Sequence, residues 1–342
     1  SDEAGHGTFV SGIIAAAWNN MGIAGIAPKA KIVPLQTVRK SGTSYGAPTS
    51  AVLNAIDAAV NEFDCKILNM SLGVKASVIE NDSNAKALWQ ERIADAIEKG
   101  AILIAAVGNE GVATKMYPAA HEDVIGVGAV YKNEQNQITH APYSQVNDSV
   151  FVVAPGGCVL KNSSGQITYA DYMVSISNSS TSVVGNYGTS FSAPTVAAMA
   201  ALMVEKHPQM NHKMFERVLM LTSSDMGDDG YDTSYGHGLL NGRKMANLKT
   251  EEVYGILDAE IGIATEETEN GTSVRIFDFA KKKKTFGAMG ISYNENGGLD
   301  KFSFKKDEGG TIGHVEITCP ENCENIFIFE GDILGITKTI KK

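Results

Sequence analysis

The sequence is poor in cysteine, in long apolar runs and in basic residues, and each shortage excludes a class of protein. Four cysteines in 342 residues are too few for the disulfide framework of a small secreted domain. No apolar run approaches the roughly 18 residues that a membrane-spanning helix needs. The net charge of −10 argues against a nucleic-acid partner, because nucleic-acid-binding domains carry a basic excess. With 43% hydrophobic residues, the composition is that of an ordinary globular protein.

Residues 1–249 show helical patterns that alternate with short apolar strand patterns. Apolar residues at helical spacing predict helices, and runs that are apolar on both faces predict buried strands. The helices are expected over 9–18, 50–63 and 88–100, and the strands over 31–38, 66–73, 101–109, 123–130 and 150–156. This alternation predicts an α/β fold: a doubly wound, mostly parallel sheet with helices on both faces.

The pattern changes at about residue 250, where helical periodicity stops. Short alternating runs such as SVRIFDFA and NIFIFEG lie between clusters of glycine, asparagine and aspartate. Such runs are typical of antiparallel strands. We therefore expect two units, an α/β domain at 1–249 and a small β-rich C-terminal module at 250–342.

Three short segments of the α/β domain carry side chains of catalytic types. GHGTFVSG places His6 just before a predicted helix, and an imidazole can serve as a general base near neutral pH. AAVGNEG places Asn109 at the end of a buried strand, where its amide can donate to a developing oxyanion. YGTSFSAP places Ser190 as the last residue before a helix, at the positive end of the helix dipole. Together they supply the base, oxyanion donor and nucleophile of acyl transfer.

Each of these residues also has a purely structural interpretation. Serine is a preferred helix N-cap, and an asparagine between glycines is an ordinary turn residue. A single histidine is more often structural than catalytic. Spacing along the chain does not show that the three side chains converge, so the joint occurrence of the segments is what favours catalysis.

Seven segments resemble, in order, the sequence blocks of the subtilisin-like serine proteases: GHGTFVSG, NMSLG, AAVGNEG, YPAAHEDVIGVGAV, VFVVAPGG, GTSFSAP and YGHGLLN. The resemblance covers residues 1 to about 246. It implies a serine endopeptidase that hydrolyses peptide bonds in polypeptide substrates through an acyl-enzyme on Ser190. It implies that His6 is the general base and that Asn109 and the Ser190 backbone N–H form the oxyanion hole.

The resemblance extends to substrate binding and to metals. It implies that Ser71, Leu72 and Gly73 form the edge that pairs with an extended substrate. Met116 falls near the base of the pocket for the P1 side chain, which precedes the scissile bond, and predicts an apolar, shallow pocket. No cofactor is required. The loop WNNMGIAGIAP resembles a calcium loop of the family but is shorter, and it leaves open a structural calcium with Asn20 as a ligand.

One catalytic residue of the family has no counterpart in this sequence. The family's triad Asp lies on a strand some tens of residues before the His, whereas this chain begins five residues before His6. Asp2 is too close in sequence to be that residue. We expect a chain truncated upstream of the His block, with the Asp, its strand and the signal region outside it, and therefore nearly inactive by itself.

Two alternatives to a peptidase stay open. One is an inactive pseudoprotease that binds peptides or acts as a scaffold, and the other is a hydrolase of esters or of a dedicated propeptide. The resemblance further implies an extracellular or cell-surface location of bacterial type. The sequence does not predict the oligomeric state.

Overall fold

The structure is a computed structural model that describes residues 2, 4–41, 44–179, 183–255, 259, 261–268, 271–279, 286–293, 299–306, 314–319, 325–330 and 336–341. Its helices are α1 (His6–Ala15), α2 (Thr49–Asn61), α3 (Ala76–Glu80), α4 (Ser83–Glu98), α5 (Thr189–Lys206), α6 (His212–Thr222), α7 (Gly242–Asn247) and α8 (Thr250–Gly255).

The strands before α5 are β1 (Arg39–Ser41), β2 (Ser44–Gly46), β3 (Ile67–Met70), β4 (Val74–Lys75), β5 (Ile102–Ala106), β6 (Met116–Tyr117), β7 (Ile125–Lys132), β8 (Ile138–His140), β9 (Val152–Pro155), β10 (Cys158–Lys161), β11 (Ile167–Asp171), β12 (Met173–Ile176) and β13 (Val183–Asn186). The strands after α8 are β14 (Ile261–Thr268), β15 (Gly271–Asp278), β16 (Phe286–Tyr293), β17 (Leu299–Lys306), β18 (His314–Cys319), β19 (Asn325–Glu330) and β20 (Ile336–Lys341).

A mostly parallel sheet forms the centre of the first unit. β3 pairs with β5, β5 with β7 and β7 with β9, all in parallel, and β8 pairs with β7 in the antiparallel sense. Every residue of β5 is buried, as its uninterrupted apolar sequence predicts. The predicted α/β fold is therefore confirmed.

Helices cover both faces of this sheet. Ile93 of α4 shares one hydrophobic core with Leu103 of β5 and with α2. Val196 of α5 and Phe215 of α6 share the other core with Ile104 of β5. Because side chains alternate along a strand, β5 contributes residues to both cores.

The predicted strand at 31–38 is wrong. These residues belong to no strand or helix, although Leu35 packs against a core and Thr37 is buried. A strand needs a neighbour for its ladder hydrogen bonds, and no segment among the described residues pairs with this one. It borders a cavity of about 2140 Å³ together with β3, which pairs only with β5 among the described strands.

The C-terminal unit is a pair of antiparallel sheets with strand orders β14-β15-β18 and β17-β16-β19-β20. Helical structure continues further than predicted, because α8 covers Thr250–Gly255, where Val253 is buried in the second core. Polar contacts between the units include a hydrogen bond from buried Arg275 to the backbone carbonyl of Ser223 and an ion pair of Lys244 with Glu266 at 3.0 Å. The boundary between 1–249 and 250–342 stays a prediction.

Within the described residues, no helix has both the length and the hydropathy to cross a bilayer.

Candidate active site

Ser190 is the second residue of α5, so the prediction that it is the last residue before the helix is wrong. The N-cap is Gly188, whose φ of 146° favours glycine, and no side chain caps the helix. The positive φ at this turn is readily adopted by glycine, whereas any other residue would be strained there. Ser190 therefore lies in the first turn, where backbone N–H groups lack intrahelical partners and the helix dipole is positive. Its hydroxyl donates instead to the Ser71 carbonyl, at 3.4 Å.

Asn109 follows β5 and is tied to the residue before Ser190. Its Oδ1 accepts hydrogen bonds from the backbone N–H of Thr189 at 2.8 Å and from the Thr189 hydroxyl at 2.9 Å. Since Oδ1 is engaged by two donors, the orientation of the amide is determined. No described residue accepts a hydrogen bond from Nδ2, which remains free to donate.

Ser71, just beyond β3, also contacts the serine. Its Oγ donates to the Ser190 carbonyl at 2.7 Å and accepts from Nδ2 of Asn69 at 2.9 Å. The carboxyl ends of β3 and β5 thus meet the N-terminus of α5. In open α/β folds, ligands bind at the carboxyl ends of the strands.

His6 is the first residue of α1, which begins three residues earlier than predicted. Asp2 explains the early start, since its carboxylate accepts from the backbone N–H groups of Gly5 and Thr8 at 3.0 and 2.6 Å. The His6 ring lies 5.7 Å from the ring of Phe191, the residue after Ser190. α1 packs against α5, so the structure brings His6 to the same region. A direct contact between His6 and Ser190 stays a prediction.

The His6 imidazole has fewer described hydrogen-bond partners than Ser190. No described residue makes a hydrogen bond to either ring nitrogen, and His6 borders the large cavity. Burial lowers the pKa of His6 below its usual range, and the negative charge of Asp2 raises the pKa in part. Burial by itself would raise the pKa of Asp2, but the hydrogen bonds from Thr8 and Gly5 outweigh it and lower that pKa.

Met116 lies against two glycines, Gly73 in the segment after β3 and Gly108 in the segment after β5. A Cβ added at Gly73 would come within 3.3 Å of the Met116 Cβ, and one added at Gly108 within 2.9 Å of its Cγ. β4 pairs with β6, which places Lys75 opposite Met116. The predicted substrate edge and the predicted pocket residue are therefore neighbours.

Asn20, the predicted calcium ligand, lies in an exposed turn with a left-handed φ of 63°. The neighbouring Asn19 uses its Oδ1 to accept from the Met21 backbone N–H at 3.1 Å. The loop WNNMGIAGIAP contains no carboxylate, whereas calcium prefers six to eight oxygen ligands that include carboxylates. The loop residues alone do not fit a calcium site, and the structural calcium stays a prediction. Among the described residues, no cluster of three or more acidic, histidine or cysteine side chains could hold a metal.

Sequence reasoning missed Asn69, Thr189 and the role of Pro194. Thr189 acts through a hydrogen bond to Asn109, 80 positions away. Asn69 acts on the neighbouring Ser71, whose hydroxyl bonds the Ser190 carbonyl 119 positions away, and no local pattern reveals such contacts. Pro194 did carry a usable signal: a proline four residues after Ser190 leaves the Ser190 carbonyl without its helical donor.

The structure and the comparisons with known proteins agree on the family. A sequence profile of the subtilase family matches residues 1–238. The chain therefore belongs to the subtilase family, and the resemblance found in the sequence is confirmed.

Among curated relatives, the chain is 34% identical to subtilisin DY of Bacillus licheniformis, over 70% of this chain and 77% of that protein. It is 32% identical to the minor extracellular protease Epr of Bacillus subtilis, over 76% of this chain but 35% of that protein. It is likewise 32% identical to subtilisin E of Bacillus subtilis, over 70% of this chain and 55% of that protein. The chain thus spans from about a third to about three quarters of these relatives.

Solved structures show the same fold. A lanthipeptide protease matches with a TM-score of 0.58 and 24% identity, over 71% of this chain and 74% of that one. A protease from Pseudoalteromonas arctica matches with a TM-score of 0.56 and 30% identity, over 70% and 69% of the two chains. Membership in the subtilase family supports serine peptidase activity in general.

Proposed function

We propose that the protein is a serine endopeptidase that forms an acyl-enzyme on Ser190. The observation that carries the proposal is the pair of hydrogen bonds from Thr189 to Asn109, next to Ser190, at the carboxyl end of the sheet. It leaves two donors without acceptors among the described residues, Nδ2 of Asn109 and the backbone N–H of Ser190. One belongs to Ser190 itself and the other to a side chain that is hydrogen-bonded to the preceding residue. Preorganised donors of this kind stabilise the oxyanion of acyl transfer.

In the proposed reaction, Ser190 Oγ attacks the substrate carbonyl carbon while His6 takes up the hydroxyl proton. The carbonyl oxygen becomes negatively charged and accepts hydrogen bonds from Asn109 and the Ser190 N–H. The peptide C–N bond then breaks, and His6 returns its proton to the leaving amine. Water, deprotonated by His6, hydrolyses the remaining ester and frees Ser190.

The reaction also needs a carboxylate to orient His6 and to stabilise its imidazolium form. Asp2 does not fit this role, because both of its oxygens accept from Gly5 and Thr8. We propose that the carboxylate arrives on an extended segment in the large cavity between residues 31–38 and β3, which His6 also borders. The edge of β3 that has no strand neighbour among the described residues supports this placement.

The substrate is proposed to be an extended polypeptide that adds as a strand to residues 71–73. Met116 packs between Gly73 and Gly108 and limits the depth available to the P1 side chain. An apolar P1 residue of modest size fits this wall best, because the Met116 side chain is itself apolar.

A fluorophosphonate probe tests the proposal in the protein as its gene encodes it. We expect one covalent label on Ser190, identified by mass spectrometry, and no label in Ser190→Ala. Ser192→Ala is the matched control, because Ser192 is a fully buried serine on the same helix whose hydroxyl has no described partner. Labelling accompanied by cleavage of esters but not of peptides would favour the esterase alternative.

One observation favours the pseudoprotease as the second candidate. The described residues leave the His6 imidazole without a hydrogen bond, so the base is not oriented by them. If the gene product binds peptides at residues 71–73 but resists the probe, the peptide-binding role replaces the catalytic one.

We also propose that the protein acts outside the cell or at its surface. The support is family membership and a relative whose name describes an extracellular protease. Immunodetection in the culture medium, the cell wall and the cytoplasm of the native host tests the location.

A further inference from the structure

The Ser190 carbonyl is deprived of its helical hydrogen bond. In α5 it would accept from the backbone N–H of the residue four positions later, which is Pro194. Proline has no N–H, so the helix offers this carbonyl no donor. The Ser71 hydroxyl takes that place and donates to the carbonyl at 2.7 Å.

Ser71 is itself oriented by Asn69. Nδ2 of Asn69 donates to the Ser71 Oγ at 2.9 Å, which leaves the hydroxyl proton for the Ser190 carbonyl. Oδ1 of Asn69 is buried and has no hydrogen-bond partner among the described residues. A buried acceptor without a donor is unfavourable, so this amide orientation is retained at a cost to stability.

We propose that Asn69 and Ser71 are positioning residues that hold the main chain at Ser190 in its reactive place. The inference rests on the proposed function and adds to it a chain of hydrogen bonds from Asn69 to Ser71 to Ser190, which we call the relay. Ser71 contacts Ser190 twice, through its hydroxyl to the carbonyl and through its own carbonyl to Oγ. The relay therefore controls the nucleophile and the adjacent backbone N–H together.

Misplacement by about 1 Å can slow an enzymatic reaction by roughly a hundredfold. We therefore expect Ser71→Ala to lower kcat by roughly ten- to a hundredfold, and to change KM by less than about twofold because the effect is on the reacting atoms. Asn69→Ala should lower kcat less, since the Ser71 hydroxyl remains. Ser71→Thr keeps a hydroxyl and should retain most of the activity.

A double-mutant cycle distinguishes the relay from a general loss of stability. If Asn69 acts only through Ser71, the variant Asn69→Ala/Ser71→Ala should match Ser71→Ala alone within about twofold. Effects that multiply, or an unchanged kcat in Ser71→Ala, would overturn the inference. Asn211→Ala is the control, because Asn211 caps the remote helix α6 and its loss should lower Tm without lowering kcat.

Pro194→Ala provides the reverse test. This substitution supplies a backbone N–H for the Ser190 carbonyl, so it should restore part of the kcat lost in Ser71→Ala. Failure to restore any activity, with the variant folded by circular dichroism, would count against the relay.

Amide hydrogen exchange judges the inference independently of turnover. Ser71→Ala should speed exchange at residues 189–193 more than Asn211→Ala does. If the wild-type gene product cleaves no substrate, the proposed function fails. Unchanged exchange at these amides would overturn the relay whatever the activity.

Discussion

The serine side and the histidine side of the candidate site are built to different degrees. Ser190 and the residue before it are held by hydrogen bonds to Ser71 and Asn109. Ser71 follows β3 and Asn109 follows β5, two neighbouring strands of the parallel sheet. His6 is placed by the packing of α1 on α5, and its ring nitrogens receive no hydrogen bond from the described residues. The proposed nucleophile is thus oriented by hydrogen bonds, whereas the proposed base is positioned by helix packing alone.

The difference follows from where the supports come from. The serine side draws on β3, β5 and α5, whose apolar faces are buried in both cores. The histidine side borders the cavity at the open edge of β3, where the described sheet has no further strand. The described residues near His6 supply the Phe191 ring at 5.7 Å but no hydrogen bond that would orient the imidazole.

The strongest loss of activity should come from the missing support for His6. Because no described residue orients His6, residues 1–342 expressed alone should show kcat about 10⁴-fold lower than a subtilisin with an oriented histidine, which is the magnitude that loss of the triad aspartate has in subtilisin itself. The open β3 edge should also make residues 1–342 prone to aggregation. Steady-state kinetics and light scattering measure both properties, with Ser190→Ala as the baseline. Equal turnover would show that another carboxylate of residues 1–342 serves His6.

A smaller loss is expected when the serine side is damaged. Asn109→Ala should lower kcat by about 10² to 10³, a range also known from subtilisin, because one oxyanion donor is removed. KM should change little, since that hydrogen bond strengthens as charge develops. Asn133→Ala is the matched control: Asn133 also accepts backbone hydrogen bonds in a turn but lies outside the site. A rise in KM with unchanged kcat would assign Asn109 to substrate binding.

Changing the pocket should affect selectivity more than rate. Met116→Gly should shift the P1 preference toward larger apolar side chains by about tenfold or more, because it removes the side chain that packs on Gly73 and Gly108. A set of peptides that differ only at P1 measures kcat/KM. Met21→Gly, at a methionine that is 72% exposed, should leave the preference unchanged. The same preference in both variants would move the pocket away from Met116.

The weakest effect should be a shift in pH dependence on the histidine side. Activity requires neutral His6, and burial already holds its pKa below the usual range while Asp2 raises that pKa in part. Asp2→Asn removes the negative charge, so the pKa of His6 should fall further and the acid limb of the kcat/KM profile should move to lower pH. An acid limb that stays in place would mean that the charge of Asp2 does not reach His6. High salt screens exposed charges, so at high salt the acid limbs of the wild type and of Asp2→Asn should lie closer together in pH.

Part of the fold and site could be predicted from sequence because the signals are local. The apolar run of β5 and the helical spacing of α2 depend on neighbouring residues only, and the structure has both elements. The family was evident from short motifs around His6, Asn109 and Ser190. The predicted strand at 31–38 failed because a strand requires a hydrogen-bonded neighbour, which sequence pattern does not supply.

Local sequence was enough to establish the alternation of helices and strands, the family and the chemical types at the site. Tertiary packing was needed to establish that Gly188 rather than Ser190 caps α5, and that Thr189 engages the Asn109 oxygen and leaves Nδ2 without an acceptor among the described residues. Packing also established that the Ser190 carbonyl, deprived of a donor by Pro194, is satisfied by Ser71 from 119 positions away in sequence. Residue types and periodicity act locally, whereas the orientation of a polar group depends on which donors and acceptors folding brings next to it.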